Sequence, residues 1–137
     1  MYLLDTNIIS ELRRVKPHGA VVEWVQRIDD NQLFVSAVSL GEIQAGIELT
    51  RMQDPQKANE IEAWLNRVAE SYNILPLDGK VFRTWAKLMH GTSNTLYEDA
   101  MIAATAKVHH LTVVTRNVAD FKMLEVEWLN PFDGTRS

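Results

Sequence analysis

The sequence predicts a three-layer α/β/α domain with a small central parallel sheet, and three observations carry that prediction. Short apolar or β-branched runs, at Tyr2 to Leu4, Leu33 to Val38 and Leu111 to Thr115, alternate with longer stretches of helical apolar period. Strands separated by helices pair in parallel through right-handed crossovers, and such sheets are covered on both faces. The chain has 137 residues, 46% of them hydrophobic, which suits one packed core and is too apolar for a disordered chain.

Each element has its own reason. Tyr2 to Leu4 reads as a strand buried on both faces, ending at Asp5. Ile8, Ile9 and Leu12 form one helical stripe, and Val21, Val22, Trp24, Val25 and Ile28 form another over His18 to Ile28. Leu33 to Val38 is rich in β-formers. From Ser39 the period turns helical, with Leu40, Ile43, Ile47 and Leu49 inward and a Ser39–Glu42 capping box at the start. Asp54-Pro55 then breaks the chain before a long amphipathic helix over Gln56 to Tyr72. Ile74 to Leu77 is a short strand or extended link. Asp78-Gly79 opens a helix bearing Val81, Phe82, Trp85 and Met89, which Gly91 closes with a left-handed cap. Thr95 and Glu98 have the spacing of a second capping box ahead of Met101, Ile102 and Val108. Leu111 to Thr115 is β-branched, a short helical turn follows near Asp120-Phe121, and Val126 to Leu129 is the last strand. The polar tail from Asp133 is expected to fray, leaving one domain over residues 1–137.

Composition removes several kinds of chemistry. The chain has no cysteine, so disulfides, thiolate metal sites and a cysteine nucleophile are excluded. No run approaches the ~18 apolar residues of a membrane span, the first residues carry no basic leader, and a reducing cytoplasm is the expected location. The net charge of −4 argues against a protein that grips nucleic acid through raw surface charge. Gly41 and Gly46 have phosphate-loop spacing, but Ile47-Glu48 stand where Lys and Ser/Thr are required. No nucleophile-elbow pattern surrounds a serine. His18, His90, His109 and His110 stand alone or at predicted helix ends, where an imidazole favours the C-terminal dipole.

In an open parallel sheet, ligands gather outside the carboxyl ends of the strands. The polar residues there are Asp5 after the first strand, Glu42 one turn into the next helix, and Asn117 and Asp120 after the Leu111–Thr115 strand. Asp99 opens the helix that leads back into that strand, so it starts from the same edge. Singly, each acid has a capping explanation. Together, close carboxylates repel and raise each other's pKa unless a cation sits among them. Oxygen donors without His or Cys suit Mg2+ or Mn2+, and such ions at a sheet mouth serve phosphoryl chemistry. The four acids alone carry −4, so the remainder of the chain sums to zero.

Asp5-Thr6-Asn7, Ser39-x-x-Glu42, Asp99-Ala100-x-Ile102-Ala103-Ala104, Thr115-Arg116-Asn117-x-x-Asp120-Phe121 and Asn130-Pro131-Phe132 occur in that order along essentially the whole chain. Together they resemble the PIN-domain ribonucleases, and within them the VapC and FitB type of toxin from bacterial toxin–antitoxin pairs. The resemblance implies a PIN-like fold with Asp5, Glu42 and Asp99 as metal-binding, catalytic carboxylates and Asp120 as a fourth. It makes Thr115 and Asn117 accessory polar residues, with Thr6 and Asn7 beside them. One or two Mg2+ or Mn2+ ions would activate a water that cuts an RNA phosphodiester, leaving a 5′-phosphate and a 3′-hydroxyl.

It further implies a homodimer, silenced by a cognate antitoxin whose other end binds operator DNA, so that DNA is reached only through the antitoxin. The Ile8–Leu12 and Val21–Ile28 stripes are the expected apolar surface for that antitoxin. Arg13, Arg14, Lys16, Lys87 and Arg116 are the candidate phosphate contacts, and Glu98 is read as a cap turned away from Asp99. A signalling receiver or a haloacid-dehalogenase-type phosphatase would want a further acid just after Asp5, where Thr6-Asn7 stand. The remaining alternative is a catalytically inactive PIN-like subunit acting with a DNA-binding partner.

Overall fold

The computed structural model describes residues 1–137. Its five strands are β1 (Tyr2–Leu4), β2 (Leu33–Ser36), β3 (Asn73–Leu75), β4 (Thr112–Val114) and β5 (Trp128–Leu129). All neighbours pair in parallel, in the order β3-β2-β1-β4-β5. The helices are α1 (Thr6–Arg13), α2 (Gly19–Arg27), α3 (Ala37–Arg51), α4 (Pro55–Ser71), α5 (Gly79–Met89), α6 (Tyr97–His109) and α7 (Val118–Met123). The chain leaves β1 toward β2 and later returns to its other side as β4. The strand order therefore reverses at the carboxyl end of β1, the place where open α/β sheets make a crevice.

Strand alternation sorts the core into two layers. Leu3, Val113 and Trp128 face one side, where they meet Ala100, Ile102, Ala103 and Ala106 of α6 and Phe121 of α7. Leu4, Val35, Val114 and Leu129 face the other, against Ile8, Ile9, Val21 and Trp24 of α1 and α2 and Val68 of α4. A smaller cluster of Ile47, Ala58 and Leu65 fastens α3 to α4. Leu49 of α3, expected to face inward, is exposed. The three-layer expectation is met, including the short strand before Pro76.

Several local expectations are not met, each for a physical reason. β2 ends at Ser36, not Val38, because Ser36 Oγ accepts from the Val38 backbone N–H at 3.2 Å and starts α3 there. The Ser39–Glu42 capping box is therefore absent: Ser39 lies inside α3, buried against Thr6 with a 2.8 Å contact between hydroxyls. The Thr95–Glu98 box is absent too, since Ser93 Oγ accepts from Thr95 N–H and α6 begins without a side-chain cap. His18 is an N-cap rather than a C-terminal residue, its Nδ1 accepting from Ala20 N–H. Gly91 does take a left-handed conformation, with φ +78°.

The tail is tied down rather than frayed. Arg136 forms an antiparallel bridge with Leu129, Asn130 N–H donates to the Thr135 carbonyl at 2.8 Å, and Ser137 N–H donates to the Trp128 carbonyl at 3.0 Å. The α1 and α2 stripes are spent on the sheet: Ile8 and Ile9 are buried, and Trp24, 8% exposed, packs edge-on to Tyr2 with ring centroids 5.0 Å apart. Leu12, Val22, Val25 and Ile28 stay half-buried, so only these members of the two stripes keep part of the apolar surface expected of them.

Ser36→Ala is expected to lower stability by about 1 kcal/mol, whereas Glu42→Gln, which removes no cap, is expected to cost nothing. Urea unfolding of both variants checks this, and a loss in Glu42→Gln matching that in Ser36→Ala would restore the capping-box reading.

Candidate acidic site

Asp5 follows the central strand directly, so the backbone itself delivers its side chain to the crevice. Its carboxylate is only 3% exposed and is heavily bonded. Oδ1 accepts from Thr6 N–H at 2.8 Å, capping α1, and Oδ2 accepts from Thr115 Oγ1 at 2.8 Å and Asn7 Nδ2 at 3.0 Å. Thr115, fully buried after β4, in turn accepts from Asn117 N–H at 2.9 Å, and Asn7 Oδ1 accepts from Arg116 N–H at 3.3 Å. Thr6 Oγ1 donates to Glu42 Oε1 at 2.9 Å. Residues 5–7 thus bind β1, α3 and the β4–α7 loop into one unit. The side chains of Asp5, Thr6, Asn7, Glu42 and Thr115 belong to that network, while Asn117 contributes only its backbone.

Asp99 reaches the same edge from the first turn of α6 and Asp120 from the first turn of α7. Their electrostatics show that the four acids sense one another. Burial pushes the Asp5 carboxyl up, its three hydrogen bonds oppose the rise, and repulsion from Asp120 adds to it. Burial also raises Glu42, against the Thr6 bond, with Asp5 and Glu98 repelling. Burial, a hydrogen bond shared with Asp120, and repulsion from Asp5, Asp120 and Glu42 together hold Asp99 up to about 7. Three of these carboxyls are thus costly to ionise in the folded chain.

Glu98 departs from the role its sequence position suggests. It does not cap α6, and its charge acts on Glu42, with which it lines an apolar-walled cavity of about 730 Å3 that includes Leu77, Tyr97 and Met101. The one-residue helical offset does turn it away from Asp99, but toward α3 rather than toward solvent alone. No three His, Asp or Glu side chains stand close enough together to form a ready-made ion cage. Of the expected phosphate contacts, Arg14 is paired with Glu11 at 3.3 Å and Arg13 lies over Trp64 at 5.8 Å.

A parallel sheet whose strand order reverses beneath a buried aspartate, with further acids entering from three helices, defines a class of α/β/α domain with an acidic mouth. The PIN domain family model matches residues 2–125, and the chain belongs to that family. It is similar to Toxin FitB of Neisseria gonorrhoeae, with 34% identity across 96% of this chain and 99% of that one. It is also similar to VapC ribonuclease Y4jK of Sinorhizobium fredii, with 32% identity across 97% and 99%. A solved structure of FitAB bound to an IR36 DNA fragment superposes with a TM-score of 0.84 at 31% identity, covering 96% of each chain.

The raised carboxyls fix the sign of a pH effect. A folded-state carboxyl held above its ordinary value of 3.8 takes up protons that the unfolded chain would release, so its contribution favours folding at low pH and is lost as pH rises through about 7. In chelator, the melting temperature of the parent chain should fall across that window, and Asp99→Asn should fall less and melt higher at its alkaline end. Thermal melts at stepped pH measure this; parallel curves for the two proteins would contradict it.

Proposed function

We propose that the chain is a metal-dependent endoribonuclease, the toxin half of a toxin–antitoxin pair. One observation carries the reading: Asp5, Glu42 and Asp99 come to one edge of the sheet within electrostatic reach of one another and of Asp120, and burial and mutual repulsion raise all three. A capping role explains only the Thr6 N–H bond of Asp5. The donor set is oxygen alone, which suits Mg2+ or Mn2+ and not zinc. The absence of a closed cage is compatible with Mg2+, which keeps several waters and is bound through one or two carboxylates. Among Asp5, Glu42, Asp99 and Asp120, one or two would hold the ion directly and the others through its waters; when bound, the ion supplies a hydroxide near neutral pH and neutralises charge developing on phosphate.

The chain's own residues do the positioning. Thr115 and Asn7 fix the orientation of the Asp5 carboxylate, Thr6 fixes Glu42, and Asn117 N–H fixes the Thr115 hydroxyl. Such supporting bonds are worth ~10–100-fold in metal affinity or activity. The names of the relatives support an RNA substrate and an antitoxin partner, and the DNA-bound FitAB structure supports operator DNA reached through that antitoxin. A homodimer and a cytoplasmic location complete the reading. No helix of the chain is long and apolar enough to cross a membrane.

The test is cleavage of a pool of structured RNAs. Mn2+ or Mg2+ should support it and chelator should stop it. Asp5→Asn and Asp99→Asn should each lose on the order of a hundredfold or more in rate. Equal cleavage by parent and variants would mark a contaminant, and no metal-dependent cleavage by the parent would favour the inactive-subunit alternative.

A further inference from the structure

Beside the acidic site, and sharing only Asn117 and Asp120 with its candidate residues, lies a cavity of about 600 Å3. Its other polar walls include Arg116, Lys122, Asn130 and Asp133, with Trp128 behind them. The two cations are held by aromatic faces. Arg116 places its guanidinium carbon 4.5 Å from the Phe132 ring centroid, and Lys122 places Nζ 5.3 Å from that of Trp128. A ring face orients a cation without neutralising it. Neither residue is in an ion pair, for those of this chain are Arg14–Glu11, Arg51–Glu48 and Arg51–Glu62.

Asn130 adds a donor. It is 9% exposed, its Oδ1 accepts from Phe132 N–H at 3.0 Å, and its Nδ2 makes no hydrogen bond within the chain. That Nδ2 reaches solvent at the cavity wall, where it is free to donate to a ligand acceptor. Asp133 faces inward as well; its Oδ1 accepts from both the N–H and the hydroxyl of Thr135. Those bonds hold its carboxyl below the ordinary range and keep it ionised, so the two cations share the cavity with this charge. The same turn, closed by Asn130 N–H to Thr135 and Gly134 N–H to Asn130, makes the wall rigid. The ordered tail thereby forms one wall of the cavity.

We propose that this cavity is a nucleotide subsite, in which Arg116, Lys122 and Asn130 hold the phosphate of the RNA nucleotide next to the one cut at the acidic site. The inference rests on the ribonuclease reading and adds to it where the substrate lies. Three donors of two charge types line one cavity whose volume is in the range of small-ligand pockets, and a guanidinium fork matches phosphate oxygens. The cavity is continuous with Asn117 and Asp120, so a backbone running across those residues brings its next phosphate to Lys122. An acidic peptide would find the same cations but has no reason to continue across Asp120.

The experiment uses the full chain carrying Asp99→Asn, which binds without cutting, and a fluorescein-labelled single-stranded RNA of mixed sequence. Anisotropy titrations over a series of KCl concentrations give the slope of log affinity against log salt. Lys122→Gln and Arg116→Gln should each flatten that slope, and the double variant should flatten it by about 0.7, the share of one phosphate on a single strand, while Lys80→Gln on exposed α5 should not. In the cutting-competent chain with Mn2+, Lys122→Gln should raise KM with kcat retained. Cleavage by the parent with unchanged slopes in the Lys122 and Arg116 variants overturns the subsite alone. No RNA binding and no cleavage by the parent overturns the subsite together with the reading beneath it. Equal weakening of a labelled polyglutamate peptide assigns the cavity to acidic peptide and overturns it too.

Discussion

The buried carboxylate of Asp5 is the constraint around which the rest of the molecule is arranged. A carboxylate taken out of water costs several kcal/mol unless its lone pairs are satisfied. Here three donors reach it from two segments: Thr6 and Asn7 from the start of α1, and Thr115 from the end of β4. Those bonds require β1 and β4 to be neighbours in register, which they are, with Leu4 opposite Val114. The sheet order and the site are therefore one structural fact. Asp5 also caps α1, so a single side chain ends the central strand, starts the next helix and anchors the crevice.

Satisfying Asp5 leaves the other acids exposed to its field. Asp99 and Glu42 are both raised, and Asp5 repels each of them. Fold and chemistry pull against each other here: α6 packs through Ala100, Ala103 and Ala106 close against the sheet, and that close approach carries Asp99 into the carboxylate cluster. Opposed preferences of this kind concentrate at functional sites. A divalent ion would reverse the local sign, turning the most acidic point of a chain of net charge −4 into one that receives phosphate. Arg116 and Lys122 then flank it with positive charge that is held in no ion pair. Net charge thus says little about where an anionic substrate is met.

Much of this is legible in the sequence. The alternation of β-branched runs with helical stripes gives the parallel sheet, and the rule that ligands gather at carboxyl ends picks out Asp5, Glu42, Asp99 and Asp120 from residue order alone. Element boundaries are less legible. Ala37 and Val38 suit a strand or a helix equally, and Ser36, three residues ahead of Ser39, takes the cap while Thr6 claims Ser39 and Glu42. The bearing of Glu98 depends on how α6 is rotated against α3, which no local pattern encodes. The cavity beside Asp120 escapes a reading of the sequence for a related reason. One wall is built by Asn130, Asp133 and Thr135 where the chain folds back on β5, a reversal with no periodicity to announce it.

The central claim is that the buried acids exist to hold a divalent cation. Mn2+ binding by the full chain, followed by the loss of the free-ion electron paramagnetic resonance signal, tests it without any substrate. Saturable binding by the parent, abolished in Asp5→Asn and weakened in Thr115→Val while both variants stay folded by circular dichroism, is the predicted result. Binding of equal strength in the parent and in Asp5→Asn would contradict the claim.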